Sequence, residues 1–232
     1  MENKNGQGIF YGVIGVATLI VAIIGATFAY FSAASAANGD AIEGNTLNLA
    51  SALSVTVTKV TFSGATASST SLVPATIAVD GSNVPTTAGI TAALGDNCEK
   101  DGYTGCHLYK IEAESSETVA AASINLKTLT TTNTANKTDW KYVIFKGSET
   151  AATSLVTGGN GSMDLAQAFD MHAGASLTAE TPVEYYLLIY LAEDDNEDEA
   201  QNSGSTNDAT GSYTGTIEMT AGTGRVTANF SA

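Results

Sequence analysis

Apolar and polar residues alternate along much of the chain after about residue 46. A period of two indicates a β-strand with one buried face, because successive side chains of a strand point to opposite sides of a sheet. Such stretches predict two strands within residues 47–62 and further strands at residues 108–114, 119–129, 140–146, 183–191, 212–220 and 225–230. The pattern therefore predicts a protein built mainly from short strands.

Some stretches carry more information than alternation alone. Residues 183–191 are the most apolar run of the domain, which predicts a central strand, and residues 140–146 are apolar on both faces, which predicts burial on both sides. Residues 71–80 are interrupted by a proline, so we expect an edge strand or a bulge there. Residues 163–169 follow a glycine-rich turn at 158–161 and are compatible with a short helix or a strand.

Eight or nine strands with hardly any helix predict an all-β fold class. Two sheets packed face to face bury one side of many strands economically, so we expect a two-sheet β-sandwich at residues 46–232. Alternation does not distinguish a jelly-roll from an immunoglobulin-like strand order, and both remain open.

A hydrophobic helix is predicted ahead of this domain. Residues 9–31 are 23 residues without a charge, and a helix of that length measures roughly 35 Å, enough to cross a bilayer. Lys4 and the α-amino group precede the helix, so we expect the N-terminus inside and the domain outside. Residues 1–31 are thus predicted to form a signal or transmembrane helix, and the small polar residues 32–45 to form a flexible linker.

Two fates are open for this helix. Small residues stand one and three positions before possible signal-peptidase cuts after Ala29 and after Ala36, which predicts removal on export. The alternative is retention, as a membrane anchor or as a helix in the core of a filament. Gly8 and Gly12 are spaced for close helix packing, but the glutamate that type IV pilins carry near this point is absent, since residues 9–13 read IFYGV.

The charge balance excludes one class of partner. The chain has 24 acidic and 9 basic residues, a formal net charge of −15, so the folded domain repels nucleic acids and other polyanions. Small polar residues fill most of the remaining sequence, a composition typical of secreted surface proteins. We therefore expect an extracellular or cell-surface protein that binds no nucleic acid.

Two cysteines, Cys98 and Cys106, flank a short polar loop on the exported side of the predicted helix. Exported cysteines this close in sequence predict a local disulfide. The alternative is a metal site formed by Cys98, Cys106 and His107, which lacks a fourth ligand in the sequence. We expect the disulfide and no metal centre.

An acidic run at residues 193–199 holds six carboxylates but lacks the spacing of a calcium-binding hand, which indicates a solvated loop. Weak binding of divalent cations there is the alternative. Neither His107 nor His172 lies in a catalytic motif, and no nucleophile elbow, phosphate-binding loop or His-Glu-x-x-His helix is present. We expect no enzymatic activity and no cofactor.

Several short motifs are similar to a known family. Residues 24–32 read IGATFAYFS and residues 43–49 read EGNTLNL, and near the C-terminus YYLLIYL at 185–191 precedes GTIEM at 215–219. This order resembles the camelysin and TasA-type family of Gram-positive surface proteins, although Asn48 stands where the family has aspartate. The resemblance implies a jelly-roll domain, released by a dedicated signal peptidase, that polymerises into biofilm-matrix fibres. It also implies that residues 32–45 act as a donor strand for the next subunit.

Together these observations predict an exported structural protein whose main partner is another copy of itself. The N-terminal segment would carry assembly into surface or biofilm-matrix fibres. One alternative is a surface binding module that the uncleaved helix anchors in the membrane. The other is a pilin-like filament subunit with a helical core at its N-terminus.

Overall fold

The computed structural model describes residues 53–65, 72–132, 139–163, 165, 167–193 and 211–232. These residues belong to a compact unit that spans Asn45–Ala232. The helix predicted at residues 9–31, the linker predicted at 32–45 and residues 47–52 of the two strands predicted within 47–62 lie outside the described residues. In the described part, no helix has both the length and the apolar character that a membrane crossing needs.

The described residues form thirteen strands and one short helix, which confirms the all-β prediction. The helix is α1 (Thr87–Gly95). The strands are β1 (Leu53–Lys59), β2 (Pro74–Ala75), β3 (Glu99–Lys100), β4 (Tyr103–Thr104), β5 (Cys106–Ser115), β6 (Val119–Thr131), β7 (Trp140–Gly147), β8 (Ala152–Ser162), β9 (Phe169–Asp170), β10 (Ala175–Leu177), β11 (Val183–Ala192), β12 (Tyr213–Ala221) and β13 (Gly224–Ser231).

The strands pair into two larger sheets and one small hairpin. Sheet I has the order β1-β5-β11-β7-β8, with β2 added beside β11. Sheet II has the order β10-β6-β12-β13, with β9 added beside β6. All these pairs are antiparallel except β2 with β11. The strand β11 lies inside sheet I, as its apolar sequence predicted.

Side chains of both sheets meet in one hydrophobic group, the inner cluster. On sheet I its members alternate with residues of the opposite face, as in Tyr185, Leu187, Ile189 and Leu191 of β11. Sheet II contributes chiefly Ile124, Leu126, Leu129, Tyr213, Ile217, Met219 and Phe230. The period of two in the sequence thus corresponds to real burial.

The opposite face of sheet I is also covered, by a second group that we name the outer cluster. Three strands of the sheet contribute Leu108, Val143, Phe145, Tyr186, Leu188 and Tyr190. Ile77, Ile90, Leu94 and Cys98, which precede β5, cover them together with Cys106, the first residue of β5. This second layer explains why β7 is buried on both sides, a confirmed prediction.

Sequence reasoning missed one helix, and at residues 163–169 it left a helix or a strand open. The helix α1 begins after Thr86, whose Oγ1 accepts a hydrogen bond from Gly89 N at 3.0 Å and so caps the first turn. Most side chains of α1 are small, so the helix shows no strong apolar stripe. The described residues of 163–169 contain no helix, and β9 begins at Phe169.

The glycine-rich segment predicted as a turn at 158–161 instead lies within β8. The register shifts between the pairs Val143↔Asn160 and Phe145↔Leu155, so the segment is a bulge in the strand. Gly158 has φ +74°, which favours glycine, and a Cβ at Gly159 would meet Val156 O at 3.0 Å. The glycines therefore allow a bend within the strand.

Candidate functional site

Cys98 and Cys106 form a disulfide, which confirms the sequence prediction. Between them β3 and β4 make a two-residue hairpin whose turn residues, Asp101 and Gly102, have φ +53° and +82°. Positive φ at both central positions is the pattern of a type I′ turn, which suits a tight hairpin. The disulfide closes the base of the hairpin and is worth about 2.5 kcal/mol in the chain-entropy description.

The alternative metal site at Cys98, Cys106 and His107 is wrong. Both thiols are consumed by the disulfide, whose cysteines belong to the outer cluster. His107 follows Cys106 in β5, so its side chain points to the other face of the sheet, where its Nδ1 lies 2.6 Å from the Tyr213 hydroxyl. Nowhere in the described residues do three His, Cys, Asp or Glu side chains lie close enough to hold a metal ion.

Residues 72–105 form what we name the outer layer, which contains β2, α1, β3 and β4. This layer packs on sheet I through the outer cluster. Two side-chain hydrogen bonds add to the packing: Ala152 N donates to Thr91 Oγ1 at 3.1 Å, and Thr76 Oγ1 donates to Glu193 Oε2 at 2.5 Å. The disulfide cross-links Cys98 of the layer to Cys106, the first residue of β5, in addition to the peptide bond between Gly105 and Cys106.

A cleft of about 360 Å³ lies within the outer layer. Its walls are residues 75–78, one side of α1, and the base of the hairpin, including both cysteines. The helix α1 and the segment at residues 75–78 are in close contact at Gly89. A Cβ added to this glycine would lie 2.5 Å from Ala78 O. The charged residues at the cleft are Asp96, Glu99 and Lys100.

The backbone at the disulfide is unusual. Asn97 and Cys98 both have φ +56°, two consecutive left-handed residues that follow Asp96, the C-cap of α1. For residues other than glycine, this conformation costs on the order of 1–2 kcal/mol each, and asparagine tolerates it better than cysteine. The segment is retained because Cys98 N donates to Ala93 O at 2.8 Å and the cysteine side chain is tied to Cys106.

A buried group of polar rings links the two sheets. The Tyr213 hydroxyl of β12 lies 2.6 Å from His107 Nδ1 and 2.8 Å from the Tyr109 hydroxyl, both on β5. Tyr109 also donates to Ser231 O of β13 at 3.2 Å. His107, Tyr109 and Tyr213, which we name the tyrosine triad, are each at most 4% exposed. Their hydrogen bonds therefore form away from water and fix how β5 faces β12.

A second histidine–tyrosine pair lies near β9 and β11. His172 Nδ1 lies 2.9 Å from the Tyr185 hydroxyl, and the rings meet edge to face. Asp170 Oδ1 accepts hydrogen bonds from the backbone N–H groups of His172 and Ala173 at 2.9 and 2.7 Å. The loop after β9 is thereby held in the position that brings His172 to Tyr185.

Burial shifts several ionisation equilibria. It raises the pKa of Tyr213 far above its ordinary value, with a further contribution from Tyr109, and it raises the pKa of Tyr190 to about 12. For Asp170 burial acts in the same upward direction, but hydrogen bonds from Ala173, Ser123, His172 and Ile124 outweigh it and lower the pKa. The tyrosine hydroxyls therefore stay protonated near neutral pH and serve as hydrogen-bonding groups.

The outward faces carry ion pairs. On sheet I, Lys110 Nζ lies 2.9 Å from carboxylate oxygens of both Glu112 and Glu184. On sheet II, Glu218 Oε2 lies 2.5 Å from Lys127 Nζ and 3.5 Å from Arg225 Nε. The Glu218 side chain is only 12% exposed, so its two cations compensate a partly buried charge.

Other predicted site residues lie largely outside the described part of the chain. The possible cleavage positions Ala29 and Ala36 are outside it, and so is the acidic run after Glu193. Glu193 itself accepts the hydrogen bond from Thr76. The cation-binding hypothesis for the run therefore stays a prediction.

Sequence reasoning missed the tyrosine triad and α1. Tyr109 and Tyr213 were placed on predicted strands, at inward positions where a buried hydroxyl needs a partner, whereas His107 fell one residue before the strand predicted at 108–114. That requirement was the available signal, but the local sequence does not show that side chains of β5 and β12, which belong to different sheets, are in contact.

Comparison with known proteins adds no family assignment. No protein-family model matches the chain, and no curated protein matches it.

Proposed function

We propose that this chain is an exported structural protein that assembles into extracellular surface or biofilm-matrix fibres through its N-terminal segment. The sequence motifs that resemble camelysin and TasA-type proteins support the proposal. A β domain with a disulfide and internal hydrogen-bonded braces is a suitable rigid subunit. The chemistry of assembly would be strand addition, in which backbone hydrogen bonds extend a sheet of the next copy.

We further propose that the two larger sheets form a two-layer sandwich with an immunoglobulin-like strand order. The order β1-β5-β11-β7 corresponds to strands A-B-E-D of a constant-type domain, and β6-β12-β13 corresponds to C-F-G. The shared inner cluster supports face-to-face packing. Of the two strand orders that alternation left open, this pairing favours the immunoglobulin-like one over the jelly-roll that the resemblance implies.

The observation that carries the assembly proposal is the edge strand β13. It pairs with β12 over eight residues without a register shift, and in the described residues no strand pairs with its other side. An open, regular edge is a template for an added strand. The edge strand β8 is different, because its register to β7 shifts twice.

Charge and position agree with this choice. Arg225 is the only charged residue of β13, whereas residues 32–45 contain Asp40 and Glu43 and no basic residue. The two segments therefore carry charges of opposite sign, and Arg225, although it lies 3.5 Å from Glu218, has a side chain that is 60% exposed. The strand β1 begins at Leu53, whose Cδ1 lies 3.1 Å from the position of a Cβ on Gly224, so the first described residue of β1 lies beside the start of β13.

The first test is the N-terminal sequence of the native protein from the cell surface, with negative-stain microscopy of the same sample. A start near residue 30 or 37 together with fibres supports the proposal. An intact Met1 with fibres would replace it by a helical-core filament. An intact Met1 without fibres would replace it by an anchored binding module.

Proline substitution tests the edge itself. In an antiparallel pair both main-chain groups of a residue point to the same side, so one of Thr227 and Ala228 directs its N–H away from β12. Proline at that residue removes no hydrogen bond to β12, so one of the variants Thr227→Pro and Ala228→Pro should keep its thermal unfolding unchanged. We expect this stable variant to lose fibre formation. The matched controls are Thr153→Pro and Ser154→Pro in β8, where the stable variant should still form fibres. Fibre formation by the stable β13 variant would rule out this edge.

A further inference from the structure

The outer layer covers an apolar surface that would otherwise face water. Beneath it lie Leu108 of β5, Val143 and Phe145 of β7, and Leu188 of β11, each at most 1% exposed. These side chains belong to strands that the inner cluster already holds in place from the opposite face. Removing the layer would therefore expose an ordered apolar face without removing the support of sheet I.

The layer itself is held by few large side chains. Of residues 72–105, Ile77, Ile90 and Leu94 are the aliphatic residues that it buries in the outer cluster. Because few side chains hold the layer, the disulfide contributes a large share of its stability. Closing the loop between Cys98 and Cys106 changes the equilibrium between the closed and the open layer by roughly 70-fold. The strand β2, which pairs with the end of β11, is the fixed side from which α1 and the hairpin could move.

The disulfide lies at the wall of the cleft. Both cysteines line it, although each is only 4% exposed. The left-handed backbone at Asn97 and Cys98 is a second relevant feature, because its relief favours opening once the covalent bond is broken.

We propose that the Cys98–Cys106 disulfide is a redox-cleavable clasp, which a small dithiol reaches through the cleft and whose reduction releases α1 and the hairpin from sheet I. One thiolate of the dithiol attacks a cysteine sulfur, and the S–S bond breaks to give a mixed disulfide and a free cysteine thiolate, which takes up a proton. The second thiol then displaces the other cysteine. The products are two protein thiols and one cyclic disulfide, with two electrons supplied by the dithiol. This inference does not depend on fibre assembly.

Hydrogen exchange of the full chain, with and without dithiothreitol, tests the clasp. Thiol alkylation and intact mass first report whether the disulfide is reduced in the folded protein. On reduction we expect amides of α1 to exchange about 70-fold faster, while amides of β11 and β12 keep their rates. An apolar dye should bind at the same time, and reoxidation should reverse both changes.

The double variant Cys98→Ser/Cys106→Ser supplies the control. It should show the fast exchange of α1 without dithiothreitol, and the reagent should then have no further effect. Three results would each overturn the proposal: a disulfide that resists reduction in the folded protein, unchanged exchange of α1 after reduction, or equal acceleration in α1, β11 and β12, which would indicate global unfolding.

Discussion

The inner and outer clusters bury opposite faces of the same strands by different means. In β11, Leu187 points into the inner cluster and Leu188 into the outer one, and both are fully buried. The inner cluster receives side chains from long strands of both sheets, together with the tyrosine triad. The outer cluster receives a few side chains from the outer layer and depends on a disulfide. The comparison shows that equal burial of two neighbours does not imply equal support from their surroundings.

The largest expected difference comes from these two leucines. Leu187→Ala should lower the free energy of unfolding by about 4 kcal/mol, because the strands around it cannot close the cavity. Leu188→Ala should cost about 2–3 kcal/mol, since the outer layer can move to fill part of the space. Urea denaturation of both variants measures the difference. Equal losses would mean that the two clusters are equally rigid.

Removal of the disulfide comes next. Cys98→Ser/Cys106→Ser should lower the stability of the domain by about 2.5 kcal/mol at most, with the loss concentrated in the outer layer. Urea unfolding followed separately by tryptophan fluorescence and by exchange of α1 measures it. Trp140 belongs to the inner cluster, so its transition should shift less than that of α1.

The tyrosine triad tests the inner cluster without changing its volume. Tyr213→Phe removes one hydroxyl and takes a hydrogen bond from both His107 Nδ1 and Tyr109, which should cost about 1–3 kcal/mol. Tyr103→Phe is the matched control, because Tyr103 is 48% exposed. A neutral result at Tyr213 would show that the braces between the sheets contribute little.

A glycine pair sharpens the description of the outer layer. Gly89→Ala should destabilise the domain by about 1–2 kcal/mol, since its Cβ would meet the backbone of Ala78. Gly95→Ala, at the other end of α1, has open space and should be neutral or stabilising by up to about 1 kcal/mol. Thermal unfolding of the two variants distinguishes a close contact from a loose one.

The smallest effect is expected at Asp170. Its pKa is lowered in the folded state, so its contribution is present above the ordinary value of 3.8 and is lost as pH falls through the folded-state value. The stability difference between the native protein and Asp170→Asn should therefore be greatest near neutral pH and should shrink below about pH 4. Unfolding measurements across this range test the sign, and a difference that grows in acid would contradict it.

Much of the sheet structure could be predicted from the sequence, because strand alternation is a local signal. The segments that became β5, β6, β7, β11, β12 and β13 were all identified from it. The disulfide was also predictable, since two close cysteines have few alternatives. Local patterns could not show α1, whose small side chains give no apolar stripe.

The site was less accessible to sequence reasoning than the fold. Pairing of Tyr213 with His107 depends on two strands that belong to different sheets and lie far apart in sequence. The bulge in β8 was mistaken for a turn because glycines permit both, and only the register with β7 distinguishes them. Such features are set by tertiary contacts and not by the residues alone.

The bulge in β8 has a consequence for any polymer that strand addition could build. A subunit with a bent, glycine-rich edge on one sheet and a straight edge on the other has two non-equivalent edges. Growth that uses the straight edge then has a direction, and side-by-side spreading into wide sheets is disfavoured at the bent one. The glycines of β8 would thus favour narrow fibres over wide sheets or amorphous aggregates.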